Sequence, residues 1–132
     1  MIVLADAADA EAEAVATALG APVLPTERAL DARAARTILL FAPPDRWRGV
    51  VLRLAGLHPR VLVVAPRGAP TPLPAGSRAI ARFVLSSAEE ARAWGAHIPL
   101  GRLAVARSGD AAAWRAVIAE VEAQHRRGGR GG

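Results

Sequence analysis

The sequence predicts a single α/β domain of three layers, in which a mainly parallel sheet of five or six strands lies between helices. Short apolar runs of strand length alternate with helical patterns almost throughout the chain. The first of these runs is continuously apolar, as in a parallel strand that is buried on both faces. The length of 132 residues and the hydrophobic content of 52% are those of one globular domain.

The first half of the chain is predicted to contain three strands separated by helices. Asp6 or Asp9 caps the first helix, and Gly20 ends it. A short helix is expected over residues 26–36 on propensity, between the second and third strands. The three strands are the apolar runs "MIVLAD", "APVLP" and "TILLFA", at residues 1–6, 21–25 and 37–42.

Residues 43–54 fit two interpretations. The helix-start cluster "PPD" and the apolar residues at helical spacing between Trp47 and Leu54 indicate a helix. The alternative pairs "GVVLRL" with the next apolar run, "RVLVVA", as a hairpin, because Val-rich runs are ambiguous. We favour the helix, since the start cluster and the apolar stripe agree.

The second half begins with the clearest strand, "RVLVVA". Four prolines in residues 66–76 then predict an extended segment in place of a crossover helix, which leaves room for one antiparallel edge strand. Ser87 and Glu90 have capping-box spacing at the start of one helix, and Asp110 caps the last. Two further strands are predicted, at residues 78–85 and 101–106.

Residues 1–125 are predicted to form the domain, and residues 126–132 a flexible tail rich in Arg and Gly. The segment "HRRGGRGG" resembles the Arg-Gly segments of RNA-binding proteins, which implies salt-sensitive contacts with phosphates. Three of the five net positive charges lie in the tail, which leaves +2 for the domain. The arginines expected to contact nucleic acid or a protein partner are Arg46, Arg48, Arg53, Arg126, Arg127 and Arg130.

Missing residue types exclude several kinds of chemistry. Without lysine the chain has neither a P-loop of the GxxxxGK type nor a Schiff base, and without cysteine it has no disulfide or thiolate site. The first strand is not followed by GxGxxG, so the dinucleotide fingerprint is missing. We expect no metal and no cofactor. With no apolar run near 20 residues and no basic leader, we expect a cytoplasmic protein without contact with a membrane.

Histidine and tryptophan are expected to have structural roles. His58 and His97 stand beside prolines, which is typical of turns, and His125 precedes the tail. Trp47, Trp94 and Trp114 each fall in a predicted helix, where they are expected to anchor the core or an interface.

The carboxyl ends of the predicted strands form the candidate site, because ligands of open α/β sheets bind there. Hydroxyls, backbone N–H groups at helix starts and nearby guanidiniums are the donors that bind a phosphate. The alternative is that the serines are only helix caps and the arginines only solvated. The candidate anion-binding residues are Arg67, Gly68, Ser86, Ser87, Arg107, Ser108 and Gly109.

The alternation of strands and helices is similar to that of Rossmann-like and flavodoxin-like domains, a likeness of architecture that does not fix a function. The favoured hypothesis is a non-enzymatic binding or accessory module of a larger assembly, with a protein partner or a second copy of the chain. The first alternative is a sensor or enzyme for a nucleotide or sugar phosphate. The second alternative is a nucleic-acid-associated protein that uses the Arg-rich tail.

Overall fold

A computed structural model describes residues 1–6, 8–54 and 61–131, with the side chains of the last helix described as far as Arg127. His58 therefore lies outside the described residues. Strands and helices alternate along this part of the chain. The strands are β1 (Ile2–Ala5), β2 (Val23–Leu24), β3 (Thr37–Ala42), β4 (Val61–Pro66), β5 (Arg82–Leu85) and β6 (Leu103–Val105). The α-helices are α1 (Ala10–Leu19), α2 (Pro44–Leu54), α3 (Ala88–Trp94) and α4 (Ala111–Gly131).

The strands form one sheet in the order β2-β1-β3-β4-β5-β6, and every neighbouring pair is parallel. The first five strands follow the order of flavodoxin-like folds, and β6 extends the sheet at one edge. The predicted three-layer α/β domain is confirmed. The chain reverses direction across the sheet at β1, so the topological switch point lies between β1 and β3.

The sheet has an apolar core on each face, because side chains alternate along each strand. Along β3, Ile38 and Leu40 belong to one core, whereas Leu39 and Phe41 belong to the other. Helices α2 and α3 cover the first face, and α1 and α4 cover the second. Helices that lie on opposite faces therefore present their side chains to separate surfaces.

Helix α2 confirms the helical interpretation of residues 43–54, and the hairpin alternative is wrong. Trp47, Val50 and Leu54 lie on one helical face and are buried against the sheet. The indole Nε1 of Trp47 donates to the carbonyl oxygen of Ala42 at 2.8 Å, which satisfies the one polar atom of this buried side chain. Trp94 and Trp114 are also buried, so all three tryptophans belong to the core.

The sequence allowed for an antiparallel edge strand after β4, but β5 pairs with β4 in parallel. The Pro-rich segment between these two strands makes the crossover without an α-helix. Leu73 of this segment is partly buried and packs against the core that α2 and α3 cover. A 3₁₀ turn at Ser77–Ala79 then leads into β5, which is shorter than the predicted strand at residues 78–85.

Two other elements differ from the prediction in length or type. A 3₁₀ segment, Thr26–Ala32, replaces the α-helix expected over residues 26–36. Its buried residues are Thr26, Ala29 and Ala32, a spacing of three that matches the 3₁₀ period. Strand β6 is preceded by another 3₁₀ turn, Leu100–Arg102.

The backbone of α4 continues as a helix through the segment in which the sequence predicted a tail. Arg126 and Arg127 lie on this helix and are exposed. The flexibility of residues 126–132 stays a prediction. Within the described ranges, no helix combines the length and apolar character needed to span a bilayer.

Candidate functional site

An ion-pair cluster lies at the carboxyl edge of the sheet, near the switch point between β1 and β3. Arg67 follows β4 and donates from Nη2 to Asp9 Oδ1 at 2.5 Å, from Nε to Asp9 Oδ2 at 3.0 Å and from Nη1 to Glu11 Oε2 at 3.1 Å. Asp9 is also the cap of α1, since its Oδ1 accepts from the N–H of Ala12 at 3.0 Å. One guanidinium therefore joins the end of β4 to the start of α1.

Arg67 is held in a charged state by these partners. Burial acts to lower the pKa of Arg67 and is the largest single cause, but the hydrogen bonds and charges of Asp9 and Glu11 together raise the pKa above its ordinary value. The guanidinium carbon also lies 5.2 Å from the centre of the Phe41 ring, within the range of a cation–π contact. The predicted anion-binding role of Arg67 therefore competes with two carboxylates already in place.

The other acid at the end of β1 is also paired. Thr26 donates from its hydroxyl to Asp6 Oδ1 at 2.6 Å, and Arg46 Nη1 lies 3.8 Å from the same oxygen. Between Asp6 and Asp9 the chain passes through Ala8, whose φ of +63° lies in the left-handed region that a side chain disfavours. This loop therefore carries backbone strain next to two engaged carboxylates.

An open cleft of about 720 Å³ lies farther along the same edge, beyond the ends of β5 and β6. It contains four of the seven candidate anion-binding residues, from two loops that are 21 residues apart in sequence. Parallel pairing of β5 and β6 brings these loops together, because both strands end at the same edge. The lining residues are Glu11, Ser86, Arg107, Ser108, Gly109, Asp110 and Ala111.

The loop before α4 is held in place by hydrogen bonds that leave Arg107 exposed. The indole Nε1 of buried Trp114 donates to the carbonyl oxygen of Arg107 at 3.0 Å, and the N–H of Asp110 donates to the same oxygen at 3.0 Å. Asp110 Oδ1 accepts from the N–H of Ala113 at 3.0 Å and so caps α4 as predicted. Among the described side chains, no acid lies within ion-pair distance of Arg107.

The remaining candidate anion-binding residues lie outside this cleft. Arg67 and Gly68 line a separate depression of about 210 Å³ beside Trp94. Ser87 is the cap of α3, where its hydroxyl oxygen accepts from the N–H of Glu90 at 3.1 Å. The structure thus divides the predicted site into an open cleft, a smaller depression and a helix cap.

The candidate nucleic-acid contacts also separate into two groups. Arg46, Arg48 and Arg53 belong to α2 on one face of the sheet, whereas Arg126 and Arg127 belong to α4 on the other. The side chain of Arg130 lies outside the described residues. The described arginines therefore do not form one continuous patch.

Sequence reasoning missed two features of this edge. It placed Asp9 and Arg67 at strand ends without pairing them, although opposite charges at one edge were a signal for an ion pair. It also missed that Glu11 lines the cleft, because Glu11 lies in a helix and not in a strand-end loop. No group of three or more side chains able to ligate a metal is found among the described residues.

Comparison with protein-family models, with curated proteins and with solved structures finds no match to this chain.

Proposed function

We propose that the protein is a binding module for a phosphate ester that also carries hydroxyl groups, such as a sugar phosphate or a nucleotide. The observation that carries this proposal is the convergence of Ser86, Arg107, Ser108 and Gly109 on one open cleft. The proposal is for binding and includes no reaction.

The phosphate end of the ligand is assigned to Arg107 and the start of α4. Arg107 is exposed, and its side chain supplies the positive charge of the cleft. The first N–H groups of a helix have no partner within the helix, and the aligned peptide dipoles place positive charge there. Ala111, the first residue of α4, lines the cleft, and we assign its backbone N–H to the phosphate.

The hydroxyl end is assigned to the two acids of the cleft, Glu11 and Asp110. A carboxylate accepts hydrogen bonds from hydroxyls, as sugar-binding sites require. One oxygen of Glu11 is already bonded to Arg67, which offsets its charge and fixes its position. A cleft with one free cation in its described lining and two acids suits a hydroxylated monoester better than inorganic phosphate or a polyphosphate.

A thermal-shift screen with sugar phosphates and nucleotides at millimolar concentration tests this proposal. A ligand that binds only the folded state raises the melting temperature in proportion to the logarithm of its concentration. We expect a rise with at least one phosphorylated ligand and a loss of that rise in Arg107→Ala. Arg48→Ala is the matched control, since it removes one exposed arginine from α2, which covers the opposite face of the sheet from α4. No shift with any ligand, or an equal loss in both variants, would contradict the proposal.

The expectation of a protein partner stays a prediction, and it too is a proposal about binding. The edge strand β6 places Val105 at 46% exposure, and Leu100 shortly before it is 86% exposed. Light scattering after size exclusion would test a second copy as the partner. A dimer that dissociates in the variant Leu100→Ser/Val105→Ser would support the expectation, and a monomer at all concentrations would count against self-association.

A further inference from the structure

The opposite edge of the sheet, at the amino ends of the strands, has a second depression of about 560 Å³. It lies between the loop before β3 and the last described turns of α4, far along the strands from the proposed ligand cleft. Its described lining contains two arginines and one histidine. The lining residues are Ala34, Arg36, Thr37, Val61, Glu122, His125 and Arg126.

The two acids that α4 carries in this region each contact a buried polar residue of the sheet. Buried Thr37 donates from its hydroxyl to Glu122 Oε2 at 2.6 Å. Glu120 lies 3.6 Å from Nη1 of buried Arg82, whose Nη2 donates to Gln124 at 2.5 Å. These contacts join α4 to the sheet, although the Glu120 side chain is still 58% exposed.

The basic side chains of this region are exposed. Arg36, His125, Arg126 and Arg127 all have exposed side chains, and we call these four residues the basic edge. Among the described side chains, none of its arginines lies within ion-pair distance of an acid. His125 and Arg126 follow Glu122 by three and four positions, so these three residues share one face of α4.

We propose that the basic edge binds the phosphate backbone of single-stranded nucleic acid. Its arginines come from two separate elements and extend past the depression along α4, an arrangement that suits a chain of phosphates better than one anion. No aromatic side chain is among the described lining residues, so binding through this edge depends on charge and not on base stacking. The contact is weak, independent of sequence and sensitive to salt.

Fluorescence anisotropy of a labelled oligothymidylate of 20 nucleotides, measured at several salt concentrations, tests the proposal. Each cation that neutralises a phosphate contributes roughly 0.7 to the slope of log affinity against log salt for single strands. We expect Arg36→Ala/Arg126→Ala to weaken binding and to lower the slope by about 1.4. Arg46→Ala/Arg48→Ala is the control that also removes two positive charges. The sequence made these arginines candidate contacts too, but they lie on α2, on the other face of the sheet from α4, so we expect a much smaller change.

The variant Glu122→Gln gives a test that loss of folding cannot imitate. It removes the one acid in the described lining, while the amide oxygen still accepts from Thr37. We therefore expect tighter binding of the oligonucleotide. Circular dichroism and melting curves confirm that each variant is folded.

The proposal would be overturned by no binding at low salt, by equal losses in both double variants, or by unchanged affinity in Glu122→Gln. Competition by inorganic pyrophosphate at the concentration of the oligonucleotide's phosphates would also overturn it, because the edge would then be a site for small anions. Arg107→Ala should leave oligonucleotide binding unchanged. The experiments therefore test the proposal for the ligand cleft and the proposal for the basic edge independently.

Discussion

Arg67 donates to both carboxylate oxygens of Asp9, over distances of 2.5 and 3.0 Å. This contact joins two residues that are 58 positions apart and links the end of β4 to the start of α1. The ligand cleft that we propose lies beyond it, over the last two strands. Glu11 contacts Arg67 and also lines the cleft, so the ion pair supports one wall of the proposed site.

Replacement of Arg67 by methionine is expected to lower the free energy of unfolding by about 1–2 kcal/mol. Hydrogen bonds between charged groups are worth more than neutral ones, but the Arg67 side chain is 30% exposed and is partly screened by solvent. Chemical denaturation measures the change, with Arg48→Met as the control for loss of an exposed arginine. Equal stabilities of the two variants would show that the cluster does not stabilise the fold.

Stability is expected to be constant between pH 9 and pH 11. The pKa of Arg67 is raised in the folded protein, so its contribution is fully present below the unfolded-state pKa and is lost only as the pH rises through the folded-state pKa. Both pKa values lie above this window. Without lysine, tyrosine or cysteine, no other side chain ordinarily titrates there. A fall in the denaturation midpoint across the window would contradict this account.

The variant Trp47→Phe is expected to cost about 1–3 kcal/mol, since it leaves unfilled volume and removes the donor to the Ala42 carbonyl. The Trp47 ring lies 5.4 Å from that of Phe83 and 6.0 Å from that of Trp94, so these contacts also change. Leu52→Ala is the control on the same helix, because Leu52 is largely exposed. A smaller loss in Trp47→Phe than in Leu52→Ala would mean that α2 packs differently.

Glycine at position 8 is expected to stabilise the protein by roughly 1 kcal/mol, because the left-handed conformation disfavours a side chain. Replacement of alanine by glycine in the middle of a helix instead lowers the stability of the protein. Ala14→Gly in α1 is therefore the control, with an expected loss of about 0.5–1 kcal/mol. Thermal melts of both variants test the pair, and a destabilised Ala8→Gly would mean that the loop is not strained in this way.

Most of the fold could be predicted because its signals are local. Continuous apolar runs predicted β3 and β4, and the spacing of Trp47, Val50 and Leu54 predicted α2. The prolines after β4 could not show that the next strand is parallel, because the direction of β5 depends on how it pairs with β4. They also could not show that Leu73 covers part of the core. The hydrophobic periodicity of a strand or helix shows which of its faces is buried, but it does not show which strand lies next to it in the sheet.

The candidate site was predicted in part for the same reason. The sequence placed Ser86 and Arg107 at strand ends, and the parallel pairing of β5 and β6 brings both to one cleft. It could not show that Arg67 binds Asp9, because that contact depends on the position of β4 relative to β1. Contacts between distant segments need the strand order, which single-sequence patterns do not contain.

A nuclear magnetic resonance titration of the backbone amides with ribose 5-phosphate shows whether the cleft beyond β5 and β6 binds a hydroxylated phosphate ester. Ribose and inorganic phosphate, each added alone, are the controls for the two halves of the ligand. The account predicts saturable shifts centred on Gly109 and Ala111 that are strongest with the phosphate ester and are lost in Arg107→Ala. No saturable shift at these amides, or shifts unchanged in that variant, would contradict it.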